Sequence, residues 1–215
     1  MAVAYGAATM TPNPMPPNPM PAPVTPKKGG VSAVVIVAVL VALACPCVGI
    51  LAAIAIPNFI KFQAKSKQSE ARANLKSAFT SETMHFAGAN AYSTDVGEVG
   101  FSPGPGNRYL YSFSTDGELQ KPGEAGKGKT GFLADAARFP TIDNEALEKG
   151  VPQDVWDNSG LQGTCPDCSV TVVAAGNVDN DDTVDVWTIS TKDRVINGVT
   201  VPAGQPYNHV DDTRE

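Results

Sequence analysis

The 215-residue chain is short of the residues that carry chemistry. It has only two histidines, His85 and His209, and no GxSxG or HExxH that would present a nucleophile or a metal-bound water. Outside one apolar run it has a single CxxC, Cys165 and Cys168, whereas a zinc site needs about four ligands. Its two tryptophans, Trp156 and Trp187, read as core or sheet-face aromatics. With no catalytic constellation, the expectation is a protein that is not an enzyme. Excess positive charge is missing too. The whole chain carries −6 and residues 1–56 carry +2, which leaves −8 on residues 57–215. An acidic domain repels phosphate backbones, so nucleic acid is excluded as a partner.

The most informative absence is charge between Val31 and Ile56. Of these 26 positions, 14 are Val, Ile or Leu. At about −0.4 kcal/mol each, they favour membrane insertion by roughly 5–6 kcal/mol. As a helix the run would be about 39 Å long, more than the ~30 Å hydrocarbon core requires. It exceeds the short apolar region of a cleavable signal, so the sequence predicts a membrane-spanning anchor over 31–56. Orientation draws two opposite signals. Lys61, Lys65, Lys67 and Arg72 after the run outnumber Lys27 and Lys28 before it, which by positive-inside counting places the later domain in the cytoplasm. A pairing of Cys165 with Cys168 suits an oxidising compartment instead.

Residues 1–30 form a Pro- and Met-rich tail that buries too little surface to fold and should be extended. Residues 57–215 are one domain. Its first part, 57–87, continues as an amphipathic helix: Ala64, Ala71, Leu75, Ala78, Phe79 and Phe86 recur every three or four residues, and Gly88 closes it. Pro46 and Pro57 each remove a helix hydrogen bond and are expected to bend the rod. Residues 109–201 hold a sheet and its loops. Strands are expected at Tyr109–Phe113, Ser169–Ala174, Val184–Ser190 and Arg194–Val201, the last three pairing consecutively and antiparallel. Residues 114–168 read as irregular except for a short helix near Asp143–Lys149, and the residues from Pro202 on read as a polar tail. The fold class is α+β, a long N-terminal helix laid on a small antiparallel sheet.

Three motifs offer binding chemistry. Residues 123–130 match GxxxxGK[ST], but Pro122 precedes them and no strand leads in, so no nucleotide is expected. Asp179, Asp181 and Asp185 crowd a turn where like charges repel unless a cation bridges them; Ca²⁺, which takes 6–8 oxygens, is the candidate cofactor, with none strictly required. Solvated turn acids are the plainer reading and the favoured one. Cys165 and Cys168 precede a strand rather than opening a helix, which favours a structural disulfide over a redox pair. Cys45 and Cys47 lie on different faces of the apolar helix and cannot pair with each other.

The run GILAAIAIPNFIKFQAKSKQSEARANLK, Gly49–Lys76, resembles the N-terminal helix of type IV pilins and type II secretion pseudopilins. GFSPGPGNRYLY (Gly100–Tyr111) and AAGNVDNDDTVDVWTI (Ala174–Ile189) resemble the loop and strands of myxobacterial-type pilins. The resemblance implies a single-pass inner-membrane protein with a cytoplasmic N-terminus and a periplasmic or surface-exposed domain. Its partners would be the membrane, other pilin-like subunits and the pilus or secretion assembly machinery, with Gly49 and Pro57 serving helix packing and bend. The chain departs from the family's processing site. Aligned on Pro57, Val35 stands where the cleavage glycine belongs and Leu40 where the fifth mature residue is Glu; Gly30 is the nearest alternative cleavage position. Two functions follow: a pilus or pseudopilus subunit, or an unprocessed, anchored accessory module that does not polymerise.

Overall fold

A computed structural model describes residues 32–124, 126–179 and 181–213, with the side chains of residues 43–51 and 57 outside the described set. The expected tail 1–30, and Gly30 with it, also lies outside the described residues. The chain divides into two compact units, one ending at Val48 and one beginning at Gly49.

Helix α1 is assigned over Ala33–Ala89 and passes through Pro46 and Pro57 without a break. It also runs one residue past Gly88, the expected terminator. The stop comes at Asn90, which takes a left-handed φ of 53° while its N–H closes the last turn on the Phe86 carbonyl. Among the described residues no helix is long and apolar enough to cross a membrane; the middle of the expected 31–56 span is the stretch without described side chains.

In the unit from Gly49, a sheet of seven strands forms the centre. The strands are β1 (Tyr109–Ser112), β2 (Leu119–Gln120), β3 (Gly131–Phe132), β4 (Gly160–Gln162), β5 (Ser169–Gly176), β6 (Asp185–Ser190) and, numbered after a separate hairpin, β9 (Tyr207–Val210). Their order is β2-β3-β1-β5-β6-β9, with β4 pairing along the first half of β5. All pairings are antiparallel except β2 with β3.

Side chains on a strand alternate between faces, and here both faces are apolar. Tyr109, Tyr111, Val172, Ala174, Trp187 and Ile189 join Ala64, Ala71, Leu75 and Ala78 of α1 in one core. Leu110, Val173, Ala175 and Val186 point the other way. They pack on Leu147 of α3 (Asn144–Gly150) and on Val155 of α4 (Gln153–Asp157), the two helices that follow the single-turn α2 (Val96–Val99). The sheet is therefore covered on two sides, which accounts for the nearly continuous burial of β5, SVTVVAAG. Asp143 starts α3 by accepting the Glu145 and Ala146 amides.

The strand expectations are corrected in three places. Arg194–Val201 is not a third sheet strand but a separate hairpin, β7 (Arg194–Ile196) with β8 (Val199–Val201). It turns at Asn197-Gly198, whose positive φ values of 52° and 78° make a two-residue turn matched to strand twist. The place beside β6 goes to β9, from the segment read as a polar tail. The stretch 114–168, read as irregular, supplies β2, β3, β4, α4 and a short helix close to the one expected.

Candidate functional site

Asp185, expected in a metal-binding turn, sits at the helix–sheet contact. It is fully buried at the start of β6. Its Oδ1 accepts from Gln68 Nε2 (2.9 Å), Asn208 Nδ2 (3.1 Å) and the Asp212 amide (3.4 Å). Its Oδ2 accepts from Tyr109 Oη (2.6 Å) and Trp187 Nε1 (2.5 Å). Burial pushes this carboxyl above its ordinary range, and the donors from Tyr109, Trp187, Asn208 and Gln68 pull it back. With both oxygens occupied, Asp185 is a structural hub rather than an available ligand.

The other two predicted ligands do come together, but with a different third member. Carboxylate oxygens of Asp179, Asp181 and Asp212 lie within 4.8 Å of one another. Asp179 and Asp181 belong to the β5–β6 connection, whose backbone they brace: Asp179 Oδ1 accepts the Asp181 amide (3.3 Å) and Asp181 Oδ1 accepts the Thr183 amide (2.6 Å). Asp212 follows β9 and is fully buried; its Oδ2 accepts the Val178 amide at 2.9 Å. Burial, then the carboxylates of Asp179 and Asp181, push Asp212 up to about 7. Lys67 of α1 faces the cluster and donates to the Val178 carbonyl. Sequence spacing could not bring in Asp212, because only the return of β9 beside β6 carries it there.

The remaining motifs take structural roles. The GxxxxGK[ST] match links β2 to β3, and Ala125 within it lies outside the described residues. Its Gly128 amide is taken by Asp95 Oδ2 at 2.7 Å and Lys129 pairs with Glu118, so the groups that would cradle phosphate already hold carboxylates. Cys165 and Cys168 are joined in a disulfide. His209 lies on β9 with Nε2 2.9 Å from Thr188 Oγ1, and burial pushes it down to about 4. His85 lies on α1.

Helix α1 carries a second kind of surface. In its first unit Val34, Ile36 and Leu40 are at least half exposed; in the second, so are Ile54, Phe59 and Phe62. Single exposed apolar residues need no explanation, but here they recur on successive turns of one helix and form an exposed apolar surface.

The family model for type IV pilin PilA matches residues 62–185. The type IV major pilin protein PilA of Myxococcus xanthus (strain DK1622) is 40% identical over 168 residues, covering 66% of this chain and 73% of that protein. Pilin relatives are structural rather than enzymatic, in keeping with the missing catalytic constellation. A long helix with an exposed apolar surface, a sheet laid on its polar half and this degree of identity lead to one conclusion: the chain belongs to the type IV pilin family.

Proposed function

We propose that the chain is a filament-forming subunit of a type IV pilus. Residues 31–56 would hold it in the bacterial inner membrane before assembly, with the N-terminus cytoplasmic and residues 57–215 outside. The observation that carries the reading is the exposed apolar surface of α1. Out of lipid, that surface must be covered, and about 25 cal/mol per Å² of apolar area is gained when a neighbouring helix covers it. Other copies of the same helix are the natural cover, and the assembly machinery is the partner that transfers one environment to the other. A pilus is favoured over a type II secretion pseudopilus because the Myxococcus relative is a major pilin.

One observation favours a second reading. Leu40 replaces the family's helix carboxylate, and Val35 the glycine before the cut. A carboxylate in lipid is costly and is retained in the family by pairing with a neighbour's new amine. Without that pair, an anchored accessory module that does not polymerise is the rival.

Intact mass of the native protein, measured separately from membranes and from sheared surface material, tests the two. A chain lacking its first 30 or 35 residues in the sheared fraction supports the filament subunit. Full-length chain confined to membranes overturns it in favour of the accessory module.

A further inference from the structure

We propose that the cavity between α4, the β7–β8 hairpin and the sheet face turned away from α1 binds a carboxylate, with Arg194 as its anchor. Two observations carry this. The first is the cavity itself, about 400 Å³, whose wall includes Asp154 of α4, Thr188 of β6, Arg194 and Val195 of β7 and His209 of β9. The second is the state of the Arg194 guanidinium. Its Nη1 donates to Thr188 Oγ1 at 2.9 Å, while Nε and Nη2 are buried with no hydrogen-bond partner. Among the described residues no carboxylate forms an ion pair with it. Arg72 and Arg108 lie over the rings of Trp187 and Phe139, and Arg194 has no such ring beneath it. A guanidinium stays charged even when burial pulls its pKa down, and a buried charge without a counter-charge is costly.

An anion in the cavity supplies what is missing, and the wall selects its charge. Thr188 Oγ1 accepts from Arg194, so its own proton is directed to His209 Nε2, 2.9 Å away. His209 is therefore a neutral imidazole; burial, then the Arg194 charge beside it, hold it down to about 4. Arg194 is left as the one cation of the wall, opposed by the Asp154 carboxylate. That balance suits a single negative charge and disfavours a doubly charged phosphate. The Nε–Nη2 edge of a guanidinium carries two parallel N–H groups, which a carboxylate accepts bidentately. Val195, 73% exposed, makes part of the wall apolar and fits a short aliphatic group on the ligand. The carboxylate has two sources, a free solute or an acidic side chain of a second copy of this chain. The inference does not depend on whether the chain is processed or polymerises.

The test titrates the full chain in detergent with isovalerate, a branched aliphatic carboxylate, and with isovaleramide as the uncharged control. Binding is read from the arginine Nε–H signals by NMR and from thermal unfolding. Isovalerate is expected to shift one arginine signal saturably, the one missing from Arg194→Lys, and to raise Tm; isovaleramide should do neither. Arg194→Gln should weaken binding about tenfold or more and remove the Tm rise. Asp154→Asn, on the exposed side of α4, should strengthen binding about twofold or more by removing the opposing charge, and guards against a folding failure at Arg194. Sedimentation separates the two sources. Self-association that isovalerate disperses and Arg194→Gln lacks identifies the side chain of a second copy; isovalerate binding to a chain that stays monomeric identifies a free solute. No saturable shift up to about 50 mM isovalerate overturns the site. So does equal binding of isovaleramide, or isovalerate binding that neither variant changes.

Discussion

Gln68 of α1 donates to Asp185 of β6 at 2.9 Å, joining residues 117 positions apart. The same amide nitrogen also reaches Asp211 Oδ1 at 2.8 Å, so one glutamine on the helix holds both the start of β6 and the segment after β9. This contact sits within the buried stripe of the helix, between Ala64 and Ala71. It sets the register of helix on sheet more sharply than alanines can, because hydrogen bonds are directional where apolar contact is not.

Removing the Asp185 carboxylate should therefore be among the most damaging single changes in the domain. Asp185→Ala strands donors from Gln68, Tyr109, Trp187 and Asn208 and is expected to cost about 3–5 kcal/mol. Asp185→Asn keeps one acceptor and should cost less. Urea unfolding of the full chain in detergent measures both, and a loss below about 1 kcal/mol for the alanine variant would deny Asp185 its central role.

Glu82 provides a pH test. It lies on the buried face of α1, its Oε1 has no hydrogen-bond partner and its Oε2 only a long contact (3.4 Å) from the Ser93 amide. Burial pushes its carboxyl up to about 8, with the Ser93 amide opposing weakly. The folded state thus keeps a proton that the unfolded chain releases near pH 4.5. Its contribution is full below about 4.5 and is lost as pH rises to about 8. Glu82→Gln should leave Tm nearly unchanged at pH 4.5 and raise it relative to the parent at pH 8.5, the difference amounting to a few kcal/mol. Parallel pH profiles for the two proteins would refute this.

Gly176 is the residue opposite Tyr109 in the β1–β5 pairing, and the tyrosine ring lies over it. A Cβ there would come within 2.6 Å of the ring. Gly176→Ala should destabilise by about 1–3 kcal/mol through overpacking, read by thermal unfolding. Gly88→Ala, with open space at its Cβ and a helical backbone, should be neutral to stabilising by about 1 kcal/mol.

The disulfide of Cys165 and Cys168 closes a short loop, with a sequence separation of three. Loop-closure entropy limits its contribution to about 2 kcal/mol. Reductant should lower the Tm of the parent modestly and leave a Cys165→Ser/Cys168→Ser variant unchanged. A collapse of the whole fold on reduction would show that the bridge carries more than loop closure.

The long helix and its apolar stripe were legible in the sequence because helical periodicity is a local property of the chain. Ala64, Ala71, Leu75 and Ala78 needed no tertiary information, and the same holds for strands β1, β5 and β6. The β7–β8 hairpin was misread: Arg194–Val201 passed for one strand because Val and Ile flank Asn197-Gly198 on both sides, and the turn between them was overlooked. The residue types and spacing of Gly49–Lys76, Gly100–Tyr111 and Ala174–Ile189 likewise carried the resemblance to pilins. Tertiary structure alone decided which acids meet. Asp185, two positions before Trp187 on β6, is drawn inward by donors from α1, β1 and β9, elements that no local pattern brings together. Asp212 takes its place beside Asp179 and Asp181 because β9, polar enough to pass for a tail, pairs with β6 through backbone hydrogen bonds, which are indifferent to side-chain polarity.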